Sequence, residues 1–318
     1  VLHLRLIVPD DLVEAVMTLL DEAPGVTNLW HIRGAASKPV GALISCDVAK
    51  EDASTVLEGL RLLNLSERGS IAAEYLDAAI SIGALDAELA AAGNPADAVV
   101  WEEVEGRVAD SASLSISFLV LMTLATMIAA IGVITDSIVL VIGAMVVGPE
   151  YGPLAGLCVA VVEGRLNLAM KSLRALLIGF PLGIISAALL TGALVAFGIA
   201  PDALVPEEHE LTLFISDPNW YTVIVSVLAG IVGMLALVGA KSGVLTGVLI
   251  SVTTIPAAAN VGVAAVYGDW DDVAGAALQL VINLLAIVLS GIAVLWVIKR
   301  ARLRRLARGK PVSMRPRA

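Results

Sequence analysis

Apolar and polar positions change rhythm about a third of the way along the chain. In residues 1–78 the apolar residues come in short runs. "VLHLRLIV" (1–8) alternates with period two, the mark of a half-buried strand. "DDLVEAVMTLLDEAPG" opens on a capping Asp and sets Leu12, Val16, Leu19 and Leu20 on one helix face. "VTNLWHIRG" (26–34) and "VGALISCDV" (40–48) read as strands joined by a turn holding Gly34, Ser37 and Pro39. "EDASTVLEGLRLLNL" is a second amphipathic helix, and "SIAAEYLD" (70–77) a last short strand. The order βαββαβ predicts a split βαβ, ferredoxin-like domain over 1–78, of a kind with small ACT-like regulatory modules. Such a fold does not by itself define a function.

Residues 79–111, rich in Ala, Asp and Glu and broken at "GNP", read as a linker and a juxtamembrane helix around "AVVWEEVEGRVADSA". Beyond them the alternation gives way to six long apolar runs, at about 113–134, 137–162, 170–198, 219–240, 243–267 and 273–298. Each reaches the ~20 residues that a bilayer core demands. The prediction is an α-helical integral membrane domain over 112–298, followed by a tail over 299–318.

Composition agrees. Hydrophobic residues make up 58% of the 318 and charged residues 16%, with a mean hydropathy of +0.91. Soluble domains average about 45–50% and about 25%. The net charge of −10 is unevenly spread. Residues 1–111 carry 19 acidic and 7 basic side chains; residues 299–318 carry 9 basic and no acidic ones. Arg165, Lys171, Arg174, Lys241 and the tail fall on one side of a six-span chain, and the acidic 199–218 and 269–272 loops on the other. The positive-inside rule then makes this a multi-pass protein of the plasma membrane with both termini cytoplasmic. The basic tail is a topology determinant with affinity for anionic lipid, so no nucleic-acid polymer is expected as a partner. The opening "VLHLRLIVPDD" lacks the parts of a signal peptide. Cys46 and Cys158 fall in different segments and imply no disulfide framework.

The second and fifth runs share an interruption. "GAMVVGPEYGPLAGLCVAVVEG" (143–164) set against "GVLISVTTIPAAANVGVAAVYG" (247–268) matches Gly143, Ala155, Val159, Ala160, Val162 and Gly164 without a gap. Each has proline near its middle. The candidate breaks are Gly148, Pro149, Gly152 and Pro153 in one, and Pro256 in the other. Two units of three spans, about 113–198 and 219–298, must enter the membrane in opposite senses. This 3+3 inverted repeat with two broken helices is a build of secondary transporters, which bind substrate at the breaks. Proline removes a backbone donor and frees a carbonyl, and irregular backbone persists in a membrane only against protein or a wet cavity. The bland alternative is a packing kink in helices rich in small residues.

Glu150 is the one ionisable acid or base well inside a span, where a charge costs from about 2.5 kcal/mol upward. It is a candidate proton carrier, cation ligand or gating group; otherwise it caps the second half-helix. Tyr151 stands beside it. In the other break Ser251, Thr253, Thr254 and Asn260 offer oxygens and an amide that suit a monovalent cation or a polar solute, or hydrogen bonds between helices. Gln279 and Asn283, four apart on the sixth span, could line the same cavity or join helices. His3, His31 and His209 are scattered, and no HExxH, CxxC, P-loop, GxGxxG or GxSxG occurs, so neither a metal site nor an enzyme is expected and no cofactor is indicated.

With the soluble head, "IGAMVVGPEYGPLAGL" and then "TIPAAANVG", the chain resembles the bacterial and archaeal membrane family called domain of unknown function 389, over roughly residues 1–300. Members read close to "GAMLISPLMGPI" and "VPPLANVG". Here Glu150 and Tyr151 replace an apolar pair, and Ile255 stands where a first proline is common. The resemblance implies the topology and no substrate. The expectation is a carrier or channel for a small solute or ion, bound between the breaks near the midplane. The soluble head would regulate it by binding a small effector, an amino acid or nucleotide. Spans rich in Gly and Ala make a homo-oligomer the expected assembly. The alternative is a membrane-embedded sensor that transports nothing.

Overall fold

The computed structural model describes residues 1–76, 83, 85–87, 101–201, 212–239, 247, 248 and 251–308. Lys241, residues 243–246, 249 and 250 of the fifth apolar run, residues 202–211 of the acidic loop and the tail beyond 308 lie outside the described residues. The chain forms two compact units, Val1–Val104 and Glu105–Ala318.

In the first unit β1 (Leu2–Val8), β2 (Val26–Ser37), β3 (Val40–Val48) and β4 (Ser70–Tyr75) make one antiparallel sheet in the order β2-β3-β1-β4. α1 (Val13–Glu22) follows β1; α2 (Lys50–Leu62) and the short α3 (Leu65–Arg68) precede β4. The period-two pattern of β1 has its expected cause. Leu2, Leu4, Leu6 and Val8 are buried and join Ile44, Cys46 and Val48 of β3 in one core with Val16 and Leu20 of α1 and Val56, Leu57 and Leu60 of α2. Each such side chain contributes about 1.5–3 kcal/mol by leaving water.

Two local expectations are corrected. Asp10 does not cap α1: Asp10–Leu12 form a 3-10 turn, and the residue at the start of α1, Leu12, lends no side-chain bond. Asp11 is held instead by Arg68, whose Nη2 donates to it at 2.9 Å. Gly34 does not end its strand: β2 runs on to Ser37, and Gly34 (φ +65) lies at the register shift between Ile32 and Ala36. Its left-handed backbone makes a bulge, which leaves Lys38 and Pro39 as the turn.

α4 (Trp101–Ser111) spans the boundary between the units in sequence. The second unit then holds α5 (Ile116–Ile134), α6 (Ile138–Val147), α7 (Tyr151–Glu163), α8 (Leu166–Ala196), α9 (Trp220–Val238), α10 (Thr254–Tyr267) and α11 (Trp270–Arg308). Four of these, α5, α8, α9 and α11, are long and apolar enough to cross a membrane, and the bent pair α6–α7 would make a fifth crossing. α10 is apolar but has only 14 residues among those described. Ser115 caps α5 by accepting from the Phe118 N–H at 3.1 Å, and Asn219 caps α9 by accepting from the Thr222 N–H at 3.1 Å.

α5 packs on α8, and α9 on α11; α7 and α10 each pack on both long helices, α8 and α11. Small residues permit these approaches. A Cβ at Gly179 of α8 would lie 2.8 Å from the Phe118 ring of α5, and one at Gly262 of α10 would lie 2.9 Å from the backbone nitrogen of Ala188 in α8.

Candidate functional site

The interruption between α6 and α7 follows from its residues. Gly148 precedes a proline, a position that disfavours helical backbone, and takes φ −59, ψ 128. The two helices meet at 50°. Proline alone does not make such a break, because Pro181 lies inside the unbroken α8. Pro153 is the third residue of α7 and Pro256 the third of α10. Both occupy first turns, whose N–H groups have no partner within the helix, so the missing donor costs nothing there. With 1.5 Å per residue, α6 places the break about 15 Å from its own start.

Glu150 caps α7 by position and is 3% exposed. Its Oε1 accepts from Thr254 Oγ1, at the first residue of α10, at 2.8 Å. Its Oε2 is buried without a hydrogen-bond partner. A Cβ on Gly148 would run into Oε2 and lie 2.7 Å from Ile255 Cγ1. The carboxyl group therefore closes the gap between the two helix starts.

Thr253 carries a second cluster. Its Oγ1 accepts from Gln279 Nε2 at 3.0 Å and from Asn283 Nδ2 at 3.2 Å. Asn283 Oδ1 accepts from Ser226 Oγ of α9 at 2.7 Å. Gln279 Nε2 also donates to the Phe214 carbonyl at 3.0 Å, while its Oε1 is buried without a partner. Because Thr253 and Thr254 are chain neighbours, these groups and Glu150 form one buried polar seam across α7, α9, α10 and α11.

The remaining candidates lie elsewhere. The Tyr151 hydroxyl donates to the Gly233 carbonyl of α9 at 2.6 Å. Ser251 Oγ donates to the Val248 carbonyl at 2.7 Å. Asn260 Nδ2 donates to Asp272 Oδ2 at 2.9 Å. Sequence reasoning missed Ser226, whose only signal was a lone hydroxyl in an apolar run. It also gave Asp272 to a loop, whereas Asp272 sits in the first turn of α11.

The first unit holds a polar chain of its own on the sheet face opposite α1 and α2. Asn28 Nδ2 donates to Asp47 Oδ2 at 2.7 Å, Asp47 Oδ1 meets His3 Nδ1 at 2.6 Å, and His3 Nε2 meets Ser45 Oγ at 3.0 Å. Strand register sets His3 opposite Asp47, a pairing that residue spacing alone does not reveal.

Long apolar helices around a buried polar seam define an α-helical membrane protein. Residues 145–289 match the family described as "Domain of unknown function (DUF389)"; this is the family the two proline-bearing segments resemble, over a narrower range than residues 1–300. The match takes in both breaks, Ser226, Gln279 and Asn283. An uncharacterised protein of Methanocaldococcus jannaschii is 28% identical over 198 residues, 62% of this chain. The matched part spans 58% of that protein's length. No solved structure matches.

Proposed function

We propose that the protein is a carrier or channel for a small solute or ion, which binds where the two helix starts meet. The observation that carries this is the Glu150–Thr254 hydrogen bond, whose partners are 104 residues apart. The same offset relates α5 to α9, both 19 residues long, and the capping residues Ser115 and Asn219. It relates the first residues of α8 and α11, Leu166 and Trp270. It also relates Gly164 and Gly268, which end α7 and α10 in left-handed backbone with φ 70 and 76. The exchange of partners, with α7 and α10 each on both long helices, fits a two-fold relation. These correspondences support six spans as a 3+3 inverted repeat. Loop charge, read by the positive-inside rule, supports cytoplasmic termini.

The strand order of the first unit supports a ferredoxin-like regulatory domain. The His3, Ser45, Asp47 and Asn28 face is its candidate surface for an amino acid or nucleotide.

Purified full-length protein in proteoliposomes, challenged with amino acids, carboxylates and alkali halides, gives a solute-dependent current on a solid-supported membrane. Asn283→Leu removes two hydrogen bonds of the seam, to Thr253 and from Ser226, and cuts that current about tenfold. Silence toward every probe, together with a ligand-dependent rise in melting temperature, would instead establish the non-transporting sensor.

A further inference from the structure

We infer that Glu150 is the proton-binding group of the membrane unit, taking up a proton at Oε2 from one side of the bilayer and releasing it to the other; this rests on the carrier reading and names its coupling ion. Two side-chain oxygens of the seam, Glu150 Oε2 and Gln279 Oε1, are buried without partners, and both are acceptors. What such a site takes is therefore a donor or a cation. The packing around Oε2 decides between them. A hard metal cation takes about six oxygen ligands. Oε2 lies beside Gly148, where an added Cβ would meet both it and the Ile255 side chain, and no protein group is hydrogen-bonded to it. Among the described residues no three His, Cys, Asp or Glu side chains converge on a metal-sized site. A proton needs one oxygen.

The rest of the carboxyl group suits both protonation states. Oε1 accepts from Thr254 whether the group is carboxylate or acid, so the contact between α7 and α10 can persist through proton exchange. On protonation an O–H bond forms at Oε2 with a proton from water; on release the proton returns to water, and no electrons move.

The surrounding ionisable groups are committed elsewhere. The Tyr151 hydroxyl donates to Gly233, and the Cys158 thiol donates to the Val288 carbonyl at 3.5 Å. On α11, Lys299 is held at the far end of α7 by Glu163 and the Val162 carbonyl, and Asp272 accepts from Asn260. Asp271, Arg300 and Arg304 on α11 and Lys171 and Arg174 on α8 lie toward helix ends. Among the described residues no Lys, Arg or His is hydrogen-bonded to Glu150.

Dicyclohexylcarbodiimide, which modifies protonated carboxyl groups in apolar surroundings, tests this on the full-length protein in detergent and in proteoliposomes. Peptide mass spectrometry should find an adduct at Glu150 that declines as pH rises and is unaffected by NaCl against choline chloride. Acid-induced infrared difference spectra should show a carboxylic C=O band that disappears in Glu150→Gln. Thr254→Val removes the donor to Oε1 and should raise labelling at fixed pH roughly fivefold, because a hydrogen bond to an ionised acceptor is stronger than one to a neutral acceptor. Protection by Na⁺ overturns the proposal in favour of a metal cation; so does the absence of both adduct and titrating band. Neither readout requires flux. Labelling without transport defeats the carrier reading alone, and transport without a titrating Glu150 defeats the proton site alone.

Discussion

At the scale of single residues, Cys46 shows what burial does to a titratable group outside the membrane. Its thiol lies in the core of the first unit, opposite Leu4 across β1 and β3. Burial, with the Asp47 carboxylate adding to it, pushes the thiol up from 9.0 to about 12. Below pH 9 both folded and unfolded chains hold the proton, and the shift leaves stability unchanged. Above 9 the unfolded chain releases it first, so stability falls by about 1.4 kcal/mol per pH unit until the folded thiol also ionises near 12. Trp30 fluorescence during urea unfolding at pH 8 to 11 should show this slope, and Cys46→Val should remove it. At pH 8 an aromatic disulfide reagent should modify folded Cys46 about a thousandfold more slowly than the unfolded chain. Equal rates would mean the thiol is not inside the core. Glu150 was legible in the sequence for the opposite reason: a charge in an apolar run is conspicuous wherever it packs. Its partner was not. The ungapped alignment of Gly143 with Gly247 already sets Glu150 opposite Thr254, but only the fold shows that the two break points touch.

At the scale of elements, hydropathy located every long helix and misjudged their ends. The run read as 273–298 is the middle of α11, which extends from Trp270 to Arg308. The window reports which residues suit lipid, whereas helix continues through Asp271, Asp272 and the basic turns wherever the backbone bonds permit. The run at 137–162 holds the break expected at Gly148 and Pro149, a 50° bend that the residue types reveal and a hydropathy average does not. Packing between helices was not legible, because it depends on which glycines face a neighbour. Gly230 of α9 does: a Cβ there would strike Ser290 Oγ and lie 2.7 Å from the Ile287 carbonyl oxygen of α11. Gly143 of α6 faces open space. Gly230→Ala should therefore destabilise the protein by about 1–3 kcal/mol, the usual cost of overpacking. Gly143→Ala should be neutral or stabilising by up to ~1 kcal/mol, since Ala is the better helix former. Melting curves in detergent compare the two, and equal shifts would refute close packing of α9 on α11.

At the scale of the whole molecule, an inverted repeat requires both interrupted segments to cross the membrane rather than turn back inside it. Hydrogen bonds at the two ends of the second unit favour crossing. Thr212 donates to Asp136 at 2.8 Å, and Tyr267 donates to the Pro201 carbonyl at 2.9 Å. The end of α5, the stretch that follows α8, the approach to α9 and the end of α10 are thus linked in two pairs. Lys299 holds the end of α7 by donating to Val162 at 2.8 Å and pairing with Glu163 at 3.1 Å. If Asp136 and Glu163 lie on opposite faces, α6–α7 is a crossing. If Asp217 and Asp269 share a face, the segment between α9 and the end of α10 crosses and returns, and α10 completes a span. Single cysteines in a background with Cys46→Ala and Cys158→Ala separate the cases. With a membrane-impermeant maleimide on intact cells, Asp217→Cys and Asp269→Cys should both label from outside, and Arg165→Cys only after permeabilisation. A re-entrant α10 would put residues 217 and 269 on opposite faces, and a re-entrant α6–α7 would expose position 165 alongside 136. In either case the three-span unit loses its odd number of crossings. The inversion of the second repeat would go with it, while the contact between Glu150 and Thr254 would stand as an ordinary bond between two hairpins.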